Sequence, residues 1–161
     1  MTNSILILTT WLLIVAVSVM AGVYFAFSTF IMRAFDDVPA KHAVEAMNSI
    51  NRTIVKSLFL PLFFGSSVLA LLQVVLSLTY LQGTPSYLGF ISGLTYLITM
   101  FLCTALFNVP LNNRLADFDL QNGNADSVWR FYRLRWTRWN HLRTIGSLVS
   151  VALLVSTLIS I

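Results

Sequence analysis

Ile5 to Met32 reads ILILTTWLLIVAVSVMAGVYFAFSTFIM, a run without a single charged residue. As one helix it is about 42 Å long, more than the roughly 30 Å of a bilayer's hydrocarbon core, so a tilted or protruding membrane span is expected. No basic residue precedes the run, and it is too long for the apolar core of a signal peptide, so we read it as a retained first span. Ser18, Gly22 and Ala26 recur every four residues within it, a stripe of small side chains suited to close contact with a neighbouring helix.

Three further apolar runs follow, at 58–81, 87–107 and 142–161. With 57% hydrophobic and 10% charged residues and a mean hydropathy of +0.80, the chain is an integral membrane protein rather than a soluble domain. The expected architecture is all-α: one membrane domain over 1–161, a transmembrane four-helix bundle with amphipathic segments at 33–57 and 108–141. All ten Lys and Arg, and all six acids, fall in those two segments or at the border of the last span. The positive-inside rule puts these segments on the cytoplasmic side and both termini outside. The pI near 9.6 therefore speaks for anionic lipid headgroups and against a nucleic-acid partner. A single cysteine, Cys103, excludes an internal disulfide and is expected to pack as a small apolar residue.

The segment from Ala40 reads as an amphipathic helix running on into the second span. Val44, Met47, Asn51, Ile54 and Leu58 form its apolar stripe, and Asn51 is the odd member, an amide that must find a partner. QGTPS, Gln82 to Ser86, is a short turn. In the third span Thr104, Asn108 and Asn112 share a face, and Pro110 frees the carbonyl of Leu106. Two readings stand: a broken helix lining a polar cavity, or an ordinary proline kink capped by asparagines. Asp126 or Ser127 is expected to cap a last helix that continues unbroken into the fourth span.

That last helix carries the densest chemistry in the chain, RLRWTRWNHLR from Arg133 to Arg143. Trp129, Arg133, Trp136, Asn140 and Arg143 alternate at steps of four and three and so share one face. Asn48, Asn51, Arg52, Asn108, Asn112, Arg114, Trp136, Asn140, His141 and Arg143 converge on the inner end of the bundle and form either a small-molecule site at its mouth or a structural polar layer with an interfacial tryptophan belt, while Arg133, Arg135 and Arg138 read as membrane-surface charges. A flat aromatic or quinone-like ligand would stack on the tryptophans and present its oxygens to the amides and arginines. His141 is the only histidine among these groups and the candidate general base. His42 and His141 together lack a local ligand motif, so no metal site is expected and haem is the secondary alternative. Nucleotide-binding loops, zinc-hydrolase helices and nucleophile elbows are all missing from the sequence.

NVPLNNRL (Asn108 to Leu115), WTRWNHLR (Trp136 to Arg143) and AMNSINR (Ala46 to Arg52) together resemble the anthrone oxygenase-like family of small four-span membrane proteins. The resemblance implies a monooxygenase that turns lipophilic phenolic anthrones, or a related quinol, into quinones without metal or flavin. It further implies that His141 deprotonates the phenol, that Asn140, Asn108 and Asn112 orient the anion and a peroxide intermediate, that Arg143 or Arg52 offsets charge, and that Trp136 stacks on the rings. The alternative is a non-enzymatic membrane protein or complex subunit that binds a quinone, haem or lipid. Oligomeric state is left open by the sequence.

Overall fold

The computed structural model describes residues 2–121 and 123–161. Five helices account for nearly all of them, with no strand among the described residues: α1 (Thr2–Ala26), α2 (Ala40–Ile54), α3 (Phe59–Tyr80), α4 (Thr84–Tyr96, continued below) and α5 (Ala125–Ile159). Counting their continuations, four are long and apolar enough to cross a membrane: Ser4–Asp37, Phe59–Tyr80, Thr84–Ala116 and Ala125–Ile159. Each spanning helix packs on two others in the cyclic order α1, α3, α4, α5. The expected four-helix membrane bundle is what the chain forms.

Both charged segments lie at one end, which we call the charged end. The Arg133 guanidinium pairs with Asp36 at 2.6 Å, tying the exit of α1 to α5. The amphipathic α2 buries Ala43, Val44 and Met47 against Met32, Leu115, Trp129, Tyr132 and Trp136. A second apolar core, including Leu13, Val17, Met20, Ala70, Tyr96, Met100 and Leu154, fills the spans themselves.

The helix starting at Ala40 does not run on into the second span. It ends at Ile54, and Val55 to Leu58 turn the chain before α3 begins. Ser57 makes that turn: its hydroxyl donates to Ile54 O at 2.8 Å and accepts from Phe59 N–H at 3.2 Å. Pro61 then falls in the first turn of α3, where a missing N–H costs nothing. Leu58 is thereby left exposed rather than on the α2 apolar face. The outer turn is shorter than expected, because α4 starts at Thr84 with Pro85 in its first turn; Gly83, at φ +62°, supplies the left-handed residue. At the start of α5 the cap is Asn124, whose Oδ1 accepts from Ser127 N–H, and not Asp126 or Ser127. From there α5 runs unbroken to Ile159, as expected.

The close helix contacts are not on the Ser18, Gly22, Ala26 stripe. Ser18 and Gly22 face outward, and a methyl added at Gly22 would meet nothing within 4 Å. Instead, Gly89 and Gly93 let α4 approach α3, and Gly146 lets α5 approach α4: a methyl at Gly93 would lie 2.6 Å from Ala70 O, and one at Gly146 would lie 2.4 Å from Thr99 Cβ. Hydroxyls reinforce these contacts. Ser66 and Tyr96 share a 2.8 Å bond, Ser150 donates to Ser92 O, Ser86 donates to Ser77 O, and Thr10 donates to Gln73 Oε1.

Toward the charged end the helices loosen. The chain after α1 widens into a π-helical turn at Phe27–Ile31, and α4 does so twice, at Leu97–Leu102 and Thr104–Asn108, before returning to α-helix at Val109–Ala116. Pro110 has no N–H for Leu106 O, and Val109 N–H reaches back five residues to Thr104 O. Pro110 thus neither breaks the helix nor simply kinks it: the widened turns absorb the missing bond.

Candidate functional site

The widened turns surround a cavity of about 380 Å³, within the range of small-molecule sites. Its walls come from all five helices and are mostly apolar, with rings from Phe27, Phe59, Phe63, Phe64, Phe101 and Trp136. Asn51, Thr104, Asn108, Asn112 and Arg143 bring polar groups to it. No carboxylate lines it.

Arg143 is the central feature, because a guanidinium only 4% exposed stands here without a counter-ion among the described residues. Its Nη2 donates to Asn140 Oδ1 at 2.7 Å and its Nη1 to Thr104 Oγ1 at 3.3 Å. Its charged carbon lies 4.4 Å from the Tyr24 ring centre and 5.0 Å from that of Trp136, so two aromatic faces clasp it. Each such contact contributes roughly 0.5–2 kcal/mol, and each charged hydrogen bond roughly 1.5–3 kcal/mol. Together they are of the same order as the several kcal/mol that taking one ion out of water costs. Arg143 Nε has no hydrogen-bond partner, and neither do Trp136 Nε1, Asn51 Nδ2 or Tyr24 OH, three further buried polar atoms on residues lining the same cavity. Three of these four atoms are pure donors, and the Tyr24 hydroxyl can donate or accept.

Asn140 sets this arginine in place. Fully buried, its amide nitrogen donates to Tyr24 O and to Ser28 Oγ, both at 2.7 Å, leaving Oδ1 for Arg143. Thr144 donates to Asn140 O and shares a bond with Ser28, so α1 and α5 are locked together behind the guanidinium. On the other wall, Asn108 donates to Trp136 O, and Asn112 accepts from Tyr132 OH at 2.9 Å.

Of the residues singled out in the sequence, Asn51, Asn108, Asn112, Trp136 and Arg143 line the cavity. Asn140 stands one layer behind, as a positioning residue for Arg143. Arg52 and His141 are not brought to the cavity: both are exposed, one residue past Asn51 and Asn140, and a single step of about 100° turns a helical side chain away from its neighbour's face. His42 is exposed as well, so no histidine is offered to a haem in this cavity. Tyr24 and the phenylalanines of α3 and α4 were not singled out as site residues. Hydropathy counts them as span filler, and the one signal for Tyr24 is that it is the only tyrosine of the first apolar run.

The sequence model of a family described as "Anthrone oxygenase" matches residues 53–153, more than half of the chain. The chain belongs to the anthrone oxygenase family. The matched region includes Asn108 to Leu115 and Trp136 to Arg143, and thus the arginine, the asparagines and the tryptophan of the cavity; Asn51, on α2, lies just before it. No curated protein and no solved structure matches this chain.

Proposed function

We propose that this protein is a membrane-embedded oxygenase that takes a lipophilic phenol of anthrone type into the cavity as its anion and lets it react with oxygen. The observation that carries this reading is the buried Arg143 without a counter-ion. An opposite charge at contact favours the ionised form of a phenol, so binding promotes loss of its proton. The resulting anion is electron-rich at its activated methylene, which can combine with dioxygen and lose water. The balance is one CH₂ and one O₂ giving one C=O and one H₂O, which needs no further reductant, and we propose no resident cofactor. Trp136 and Phe27 pack on each other with ring centres 5.4 Å apart and form one aromatic wall for the rings of the substrate, and Asn51, Asn108 and Asn112 would contact its oxygens. The proton-accepting role that the family resemblance implies for His141 is not part of this reading, because its side chain is exposed outside the cavity. We place the charged end on the cytoplasmic side, on the distribution of Lys and Arg.

The test is oxygen uptake by the purified protein in lipid nanodiscs supplied with a dihydroxyanthrone, with product followed by its quinone absorption. Uptake that depends on the protein and falls steeply in Arg143→Gln is expected. Saturable binding with no uptake above the uncatalysed rate would overturn the enzymatic reading in favour of a carrier.

A further inference from the structure

The cavity is polar at one wall and open at another. Arg143, Trp136, Asn51 and Tyr24 hold the unpartnered polar atoms. Away from them, Val55, Phe64 and Val109 also line the cavity while remaining 51%, 52% and 43% exposed, and Ala105 beside Val109 is exposed too. Phe64 and Ala105 lie within helices long and apolar enough to cross a membrane, where an exposed face would meet lipid rather than water. The gap follows from the packing. α3 and α4 are drawn together by Gly89, Gly93 and the Ser66–Tyr96 bond, and they still touch where Phe63 and the inner edge of Phe64 pack on Phe101 at 5.5 and 6.3 Å. Past that stack, toward the charged end, α3 has only its first turn from Phe59, and the π-helical turn at Thr104–Asn108 redirects the α4 continuation.

From this geometry we infer that the site takes an amphiphile from within the bilayer: an aromatic head whose oxygens reach Arg143, with a hydrocarbon chain that leaves between α3 and α4 into the surrounding lipid. This rests on the proposed reading of the cavity and narrows its substrate class to phenols or quinones carrying an alkyl or similar tail. An apolar head is excluded by the donors, which would be left buried and unsatisfied. A fully polar tail is excluded by the exposed faces of Phe64 and Val109. A tail in this position exchanges one lipid environment for another, so it neither adds to nor subtracts much from affinity at equal concentration in the membrane. What it requires is an open exit.

The experiment compares dihydroxyanthraquinone with and without a dodecyl chain, bound to the protein in zwitterionic nanodiscs and detected by quenching of tryptophan fluorescence, at matched membrane mole fraction. Ala105→Phe narrows the exit, and Val109→Phe does so one turn further on. The expected result is that either variant weakens the dodecyl compound about tenfold or more relative to its effect on the bare head, a steric clash equivalent to overpacking a filled site. Retained binding of the bare head shows that the variant is folded. Equal weakening of both compounds, or of neither, would overturn the lateral exit. A fatty acid that displaces the dodecyl probe as well as dihydroxyanthraquinone does would overturn the aromatic head. These outcomes are separate from turnover: a tail effect without oxygen uptake keeps the exit and sinks the oxygenase, whereas uptake with no tail effect does the reverse.

Discussion

The two halves of the bundle solve the same problem in opposite ways. In the half away from the charged segments, helices meet through Gly89, Gly93 and Gly146, and nearly every buried hydroxyl has a partner, with Ser147 the exception. Without a hydrophobic drive between helices in lipid, close approach and hydrogen bonds do the holding there. In the charged half the helices widen into π turns at Phe27–Ile31 and Thr104–Asn108, leave a cavity, and bury a guanidinium without a counter-ion among the described residues, beside three further unpartnered polar atoms on cavity residues. The contacts of Tyr24, Trp136, Asn140 and Thr104 are what hold the guanidinium there. The difference separates a scaffold from a site, within the same four helices.

The largest effect is expected at Arg143. Arg143→Gln keeps some hydrogen-bonding capacity but removes the charge, and anthrone-dependent oxygen uptake should fall on the order of 10²–10³-fold, the scale of losing one preorganised stabiliser of an anion. Arg143→Lys restores the charge without the fork and should recover part of the rate. Next comes the scaffold. Gly146→Leu drives a side chain into Thr99 and should lower stability by about 1–3 kcal/mol, read as a lower thermal midpoint in detergent; an unchanged midpoint would mean that the α4–α5 contact is not what holds the tight half.

A smaller and more discriminating change is Asn51→Leu. It exchanges an amide with a buried unpartnered nitrogen for an apolar group of similar size, so ligand affinity should drop about tenfold while thermal stability holds or rises, since an unsatisfied buried donor costs roughly 1–3 kcal/mol. A matched loss of stability and affinity would make Asn51 part of the scaffold instead. The smallest effect is expected at His141, where Ala should change turnover by less than about twofold, as surface substitutions usually do. A large loss there, with folding intact, would bring the exposed imidazole into the reaction and redraw the boundary of the site.

Much of this was legible in the residues. Hydropathy and length define the spans because lipid leaves a helix no alternative for its backbone, and the three-and-four spacing of Trp129, Trp136, Asn140 and Arg143 does place those side chains on one buried face. Asn51 betrayed itself as a polar residue in an apolar stripe. Other features depend on partners far along the chain. The Ser18, Gly22, Ala26 stripe looks like a contact, yet whether small residues face a neighbour is decided by how the helices pack. Arg52 and His141 sit beside true lining residues in sequence, and one residue of helix rotation takes each of them out of the cavity. Tyr24 and the α3 phenylalanines could not be separated from span filler, because an aromatic ring reads the same to lipid as to a ligand. The π turns were half legible: Pro110 announces a lost hydrogen bond, but not that the helix would widen to absorb it.

The central claim, that the cavity receives an oxygen anion on a buried and otherwise unpaired guanidinium, can be read from the ligand itself. A hydroxyanthraquinone changes colour on ionisation, so its absorption can be titrated while bound to the protein in nanodiscs. The account predicts that the bound phenol ionises about 1–3 pH units lower than the same compound in protein-free discs, and that Arg143→Gln abolishes the shift. A bound phenol that titrates at or above its value in protein-free discs, in the wild-type protein, would contradict it.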